Sequence, residues 1–120
     1  MGLINLEALK NTCAGDQEMM KEMLKMGRLS VMTALTDIDN AIASQQWDHL
    51  ARAVHKVRPI LSYLGINSLS DDLLAVERNA KERRHLAGLP GLVSVISGRL
   101  KEIHVELEQQ LAGSQTGAPA

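Results

Sequence analysis

Aromatic side chains are nearly absent from this chain of 120 residues, which has no Phe, one Trp and one Tyr. Its apolar content of 45% comes mainly from Leu, Ala, Met and Ile. These residues favour helices or fill irregular core space. The composition therefore predicts a helical core of aliphatic and flexible side chains, and the length allows a single domain.

Cysteine, excess charge and long apolar runs are also scarce. The single cysteine, Cys13, excludes an internal disulfide and is typical of a reducing compartment. A formal net charge of -1 excludes the basic footprint of a nucleic-acid binder. No run of eighteen apolar residues exists, and the N-terminus lacks the layout of a signal peptide. We therefore expect a cytoplasmic chain with no nucleic-acid partner and no membrane contact.

Apolar residues recur at helical spacing along the whole chain, separated by short turn signals. Asn5 is predicted to cap a short first helix, and Ser68 to cap the fourth. In the second helix, Gly27 interrupts the apolar stripe and is expected to allow a close crossing by the first helix. The short connections predict an all-α, antiparallel up-down-up-down four-helix bundle with a short additional N-terminal helix. We expect one domain over residues 1–113 and a disordered tail over 114–120.

The segment 53–65 carries the strongest candidate for a functional site. His55 follows Val54 of the apolar stripe and is rotated about 100° from it, so its imidazole is expected to face solvent. Lys56 and Arg58 flank the histidine and would favour an anion there. A partner could approach closely, because the neighbours on the same face of the helix are compact. These neighbours are Ala51, Pro59 and Ser62.

Counting through the predicted hairpins suggests a docking surface around the histidine. His55 is expected to lie level with residues 36–37 of the preceding helix. The residues of that helix expected beside it are Leu29, Met32, Thr33 and Thr36. Together with Ala51, Pro59 and Ser62 they would form a partner-docking face. On the next helix, Glu77, Arg78 and Lys81 are expected at a similar height.

At these residues the chain resembles the histidine-containing phosphotransfer (HPt) domains of two-component phosphorelays. Their motif is a helical His followed by Lys, an aliphatic residue, Lys, Gly, small residues and a closing Gly ten positions after the His. Lys56, Val57, Arg58 and Gly65 fit that frame, whereas Pro59 replaces the first glycine and residues 60–61 are large. The resemblance extends over about residues 5–112, weakly outside the motif.

The resemblance implies a phosphoryl carrier. Nε2 of His55 would accept a phosphoryl group from a receiver-domain aspartate and pass it to another receiver, while Lys56 and Arg58 steady its charge. The receiver would supply Mg²⁺, and the chain would have no cofactor of its own and no autonomous kinase activity. The expected partners are response-regulator receiver domains, with a hybrid sensor histidine kinase as a further candidate. We expect a monomer, free in the cytoplasm or part of the cytoplasmic portion of a larger sensor kinase.

Two alternatives stay open at this point. The chain could be a non-catalytic helical adaptor that binds receiver or kinase domains, with Pro59 as the change that abolished phosphotransfer. Pro59 also lacks the N–H that would bond the His55 carbonyl, so we expect a bend there.

A histidine-kinase dimerisation domain is disfavoured, because one chain supplies four long helices itself. Metal binding is disfavoured too, because Glu82 and His85 form a single Glu-x-x-His step.

Overall fold

The computed structural model describes the backbone of residues 4–116 and the side chains of residues 4–112. Every regular element in this part of the chain is helical, which confirms the all-α class. The helices are α1 (Leu6–Thr12), α2 (Gln17–Ala43), α3 (Trp47–Tyr63), α4 (Ser70–Glu82) and α5 (Leu89–Thr116), with a 3-10 turn at Leu86–Gly88. α5 therefore continues beyond its predicted end at Gly113. The rest of the predicted disordered tail, residues 117–120, lies outside the described residues.

One of the two predicted helix caps is present. The side chain of Asn5 accepts a hydrogen bond from the Ala8 N–H at 3.0 Å and caps α1. The predicted cap at Ser68 is wrong, because α4 begins only at Ser70 and the preceding Leu69 makes no side-chain capping bond. Leu69 is buried in the core. α4 thus begins directly after a buried apolar residue and without a capping hydroxyl.

Packing between long amphipathic helices forms the core. α2 packs against α3 and α5, α3 packs against α4, and α4 packs against α5. The predicted apolar stripe of α3 is buried throughout, and each such side chain contributes about 1.5–3 kcal/mol when removed from water. Its members are Leu50, Val54, Val57, Leu61 and Leu64. Within the described residues, no helix combines the length and apolar character that crossing a membrane requires.

Gly27 allows other residues to pack closely against α2, but these residues do not belong to α1, the helix that was expected to cross there. A Cβ at this position would lie 3.1 Å from Cδ1 of Leu64 and 3.7 Å from Cδ1 of Leu107. The expected crossing by α1 is therefore wrong. Leu64, which follows the last residue of α3, and Leu107 of α5 occupy the space that the missing side chain leaves.

Candidate functional site

His55 lies in the middle of α3 with 69% of its side chain exposed. The helix brings it there because the preceding residue, Val54, is completely buried and a step of one residue turns the side chain about 100° outward. Nδ1 of the imidazole lies 3.1 Å from Oε2 of Glu77 in α4. The histidine is therefore accessible to solvent and held on one side by a carboxylate.

Glu77 joins the histidine to one of the predicted cations. Its second oxygen, Oε1, accepts a hydrogen bond from Nη1 of Arg58 at 3.0 Å. Only 16% of the Glu77 side chain is exposed, because it follows the completely buried Val76 at the edge of the α3–α4 contact. The Arg58 guanidinium compensates the charge of this mostly buried carboxylate and fixes its orientation.

The contact with Glu77 determines which nitrogen of a neutral His55 side chain carries the proton. An ionised carboxylate only accepts hydrogen bonds, so the Nδ1 atom that faces it must carry the proton. In a neutral imidazole the other nitrogen, Nε2, then keeps its lone pair. In its neutral form, the accessible imidazole therefore has its unprotonated nitrogen at Nε2.

The compact neighbours predicted for His55 lie around it. Pro59 and Ser62 share a groove with His55 and Arg58, between α3 and the first turn of α4. Ala51 lines a second depression beside the imidazole, on the side toward the start of α3. α3 continues through Pro59 to Tyr63, and the bend that we expect at this residue stays a prediction.

Lys56 lies on the other side of α3. It lines a groove between α3 and α2, whereas the imidazole of His55 pairs with α4. Leu29 and Thr33 line the same groove as Lys56. These two residues therefore lie beside the lysine rather than beside the histidine. The predicted side of α3 is therefore wrong for Leu29 and Thr33.

Met32 and Thr36 complete the predicted docking group on α2. Met32 is 53% exposed and lies seven residues before Asp39, so the two residues share one face of the helix. Asp39 accepts a hydrogen bond from the Ser97 hydroxyl of α5, which turns this face toward α5. Thr36 is exposed, and its hydroxyl donates to the Met32 carbonyl at 3.2 Å. Met32 is therefore not adjacent to His55, contrary to the prediction.

Glu77 is the residue of the site that the sequence did not identify. Counting from Gly65 indicated that Glu77 lies level with His55, but Arg78 and Lys81 were at a similar height. Which of the three faces His55 depends on the rotation of α4 about its own axis. That rotation depends in turn on how Leu73 and Val76 pack. A carboxylate one residue after a buried valine, level with a helical histidine, was the available signal.

Metal ligands are not clustered in the described part of the chain, where no group of three His, Cys, Asp or Glu side chains could hold an ion. Comparison with protein-family models, curated proteins and solved structures gave no match to this chain.

Proposed function

We propose that this chain is a histidine phosphotransfer protein, which accepts a phosphoryl group on His55 from a receiver-domain aspartate and transfers it to a second receiver. One observation carries the proposal. The exposed imidazole is hydrogen bonded at Nδ1 to Glu77, which leaves the lone pair of the neutral ring on Nε2. The motif resemblance at Lys56, Arg58 and Gly65 supports it independently.

We further infer that the four long helices form an up-down-up-down bundle. Pairs between α3 and α4 support this arrangement, because the residue numbers change in opposite directions along the two helices. Asp48 pairs with Arg83, the residue that follows α4, and His55 pairs with Glu77. Helices that run in opposite directions produce this relation. The same relation holds between α2 and α5, where Gly27 is next to Leu107 and Asp39 is bonded to Ser97.

Phosphoryl transfer would proceed by in-line attack on the phosphorus atom. The Nε2 lone pair forms the new N–P bond, while the P–O bond to the receiver aspartate breaks and its electron pair stays on the carboxylate. The proton on Nδ1 is not lost. It stays on the imidazole, where the negative charge of Glu77 stabilises the positive charge that develops in the ring. Mg²⁺ held by the receiver would neutralise charge on the phosphoryl oxygens.

Two residues support the histidine in this scheme. Arg58 acts through Glu77, because its guanidinium fixes the carboxylate that orients the imidazole. Lys56, on the α2 side of α3, adds positive charge where a receiver would approach. We propose response-regulator receivers as partners, with a hybrid sensor histidine kinase as a further candidate. We also propose that the chain acts as a monomer in the cytoplasm, without kinase activity of its own.

A non-catalytic adaptor is the second candidate. It is favoured by Pro59, which stands inside α3 one turn after His55, where the resembling family has glycine. Such an adaptor would keep the bundle and bind receivers without accepting a phosphoryl group.

Incubation with a panel of phosphorylated receivers separates the two candidates. A carrier gains phosphate that is labile to acid and stable to base, as expected for phosphohistidine. His55→Gln should abolish this labelling, while His49→Gln, which changes an exposed histidine of the same helix, should retain it. Binding of a receiver without any acid-labile labelling would favour the adaptor and refute the carrier.

A further inference from the structure

A surface depression of about 410 Å³ lies beside His55, on the side toward the start of α3. Both α3 and α4 contribute to it, and its lining contains four charged side chains besides the histidine. These are Asp48, Arg52, Glu77 and Lys81. The balance between its two acids and two cations decides what the depression can bind.

Both acids already have partners. Asp48 accepts a hydrogen bond from Nη1 of Arg83 at 3.0 Å, and this contact lowers the pKa of the Asp48 carboxyl. Glu77 is bonded to Arg58 and faces Nδ1 of His55. The ion pairs of both acids are therefore made with Arg83 and Arg58, which lie outside the lining, and Arg52 adds only a smaller Coulombic contribution at Asp48.

The two cations have no such partners. Neither Arg52 nor Lys81 forms an ion pair among the described side chains. Arg52 precedes His55 by three residues and Lys81 follows Glu77 by four, so each lies one helical turn from the His55–Glu77 pair, on the same side. Residues with these spacings have Cβ atoms about 5–6 Å apart. Two cations that make no ion pair thus lie one helical turn from the His55–Glu77 pair.

We propose that Arg52 and Lys81 bind the oxygens of the phosphoryl group carried on Nε2 of His55. This inference rests on the proposed function and deepens it, because neither residue belongs to the motif. The motif cations are less suited to the role, since Arg58 is bonded to Glu77 and neither Arg58 nor Lys56 lines the depression. An arginine fork on one side and a lysine ammonium on the other are both strong donors to phosphoryl oxygens.

Phosphoramidate, a small phosphoryl donor, tests the site without a receiver. The protein is phosphorylated with it, and the ³¹P resonance that disappears in His55→Gln is assigned to phospho-His55. The second ionisation of this group is then followed by ³¹P NMR in wild type, Arg52→Met and Lys81→Met, which remove charge but keep most of each side-chain stem. Lys101→Met is the control, because it removes one charge from the exposed surface of α5.

Each of the two test variants should raise the pKa of the phosphoryl group by about 0.5, the effect of a unit charge roughly 6 Å away in water. Lys101→Met should leave it within about 0.1. Equal values in all three variants would overturn the assignment, and so would failure of phosphoramidate to label His55. The carrier function is judged separately. If the phosphoryl pKa rises in both test variants but no receiver transfers a phosphoryl group to the protein, the binding site is retained and the proposed function is refuted.

Discussion

The backbone of Gly65 packs directly against Asn5, so closely that a Cβ on Gly65 would lie 2.6 Å from the Cβ of Asn5. The Asn5 N–H also donates to the carbonyl of Leu64 at 3.1 Å. Gly65 itself has a φ of +72°, and its N–H and that of Ile66 bond back to the last turn of α3. The closing glycine of the motif therefore joins α1 to the end of α3.

Replacement of this glycine should destabilise the bundle without touching the histidine. Gly65→Ala combines a left-handed backbone that favours glycine with a clash against Asn5, so we expect a loss of about 2–3 kcal/mol in the free energy of unfolding. Urea titration followed by circular dichroism measures it. Gly98→Ala is the matched control, because a Cβ there meets no atom within 4 Å. Within a helix this control should gain up to about 1 kcal/mol, and an equal response of both variants would contradict the packing role.

The ion pair between Asp48 and Arg83 should make stability depend on pH in acid. The hydrogen bond from Arg83, followed by its charge, lowers the pKa of the Asp48 carboxyl in the folded protein. The stabilisation is therefore complete above the pKa of the unfolded chain, about 4, and is lost as the pH falls through the lower folded value. Arg83→Met should return the Asp48 pKa toward its ordinary value.

Carbon-detected NMR titration of the Asp48 carboxyl measures this pKa directly. Arg84→Met is the control, because Arg84 pairs instead with Glu82 at 3.5 Å. Unfolding experiments should then find Arg83→Met less stable than the control at neutral pH, with a difference that shrinks on acidification below about pH 4. A difference that grows in acid would contradict the assignment.

The sequence predicted which residues of neighbouring helices lie at the same level along the bundle. It did not predict the direction in which each side chain points around its helix axis. The period of apolar residues predicted the buried stripe of α3, and the hairpin counts placed Glu77 level with His55. Each step of one residue turns a side chain by about 100°. An error of one residue therefore changes the level of a side chain along the bundle only slightly, but it changes the direction of the side chain decisively. Leu29, which lines the groove of Lys56 and not that of His55, is an example. Ser68 failed as a cap for a different reason, because α4 begins two residues later, after the buried Leu69.

Glu77 should be required for the orientation of His55 rather than for folding. Glu77→Gln keeps the size of the side chain but loses its charge, and its amide can donate to Nδ1 as well as accept from it. We expect a mixture of imidazole tautomers and roughly tenfold slower phosphoryl transfer. ¹⁵N NMR of the imidazole reports the tautomer, and receiver-dependent labelling reports the rate.

Glu82→Gln is a suitable control for that experiment, because Glu82 lies on the same helix and is paired only at the surface with Arg84. It should change neither the tautomer nor the rate. Unaltered ¹⁵N shifts and an unaltered rate in Glu77→Gln would mean that the 3.1 Å contact does not control the imidazole.

Leu29 and Met32 provide a matched pair for locating the receiver. Both are exposed, at 67% and 53%, so a charged substitution at either should change the free energy of unfolding by no more than about 0.5 kcal/mol. Only Leu29 borders the groove of Lys56, while Met32 lies on the face turned toward α5. Leu29→Glu should therefore weaken receiver binding about tenfold or more, since an apolar contact is lost and the new carboxylate counteracts the charge of Lys56. Met32→Glu should bind nearly as wild type. Titration calorimetry with a receiver measures both affinities, and weaker binding by Met32→Glu alone would place the docking surface on the α5 side of α2.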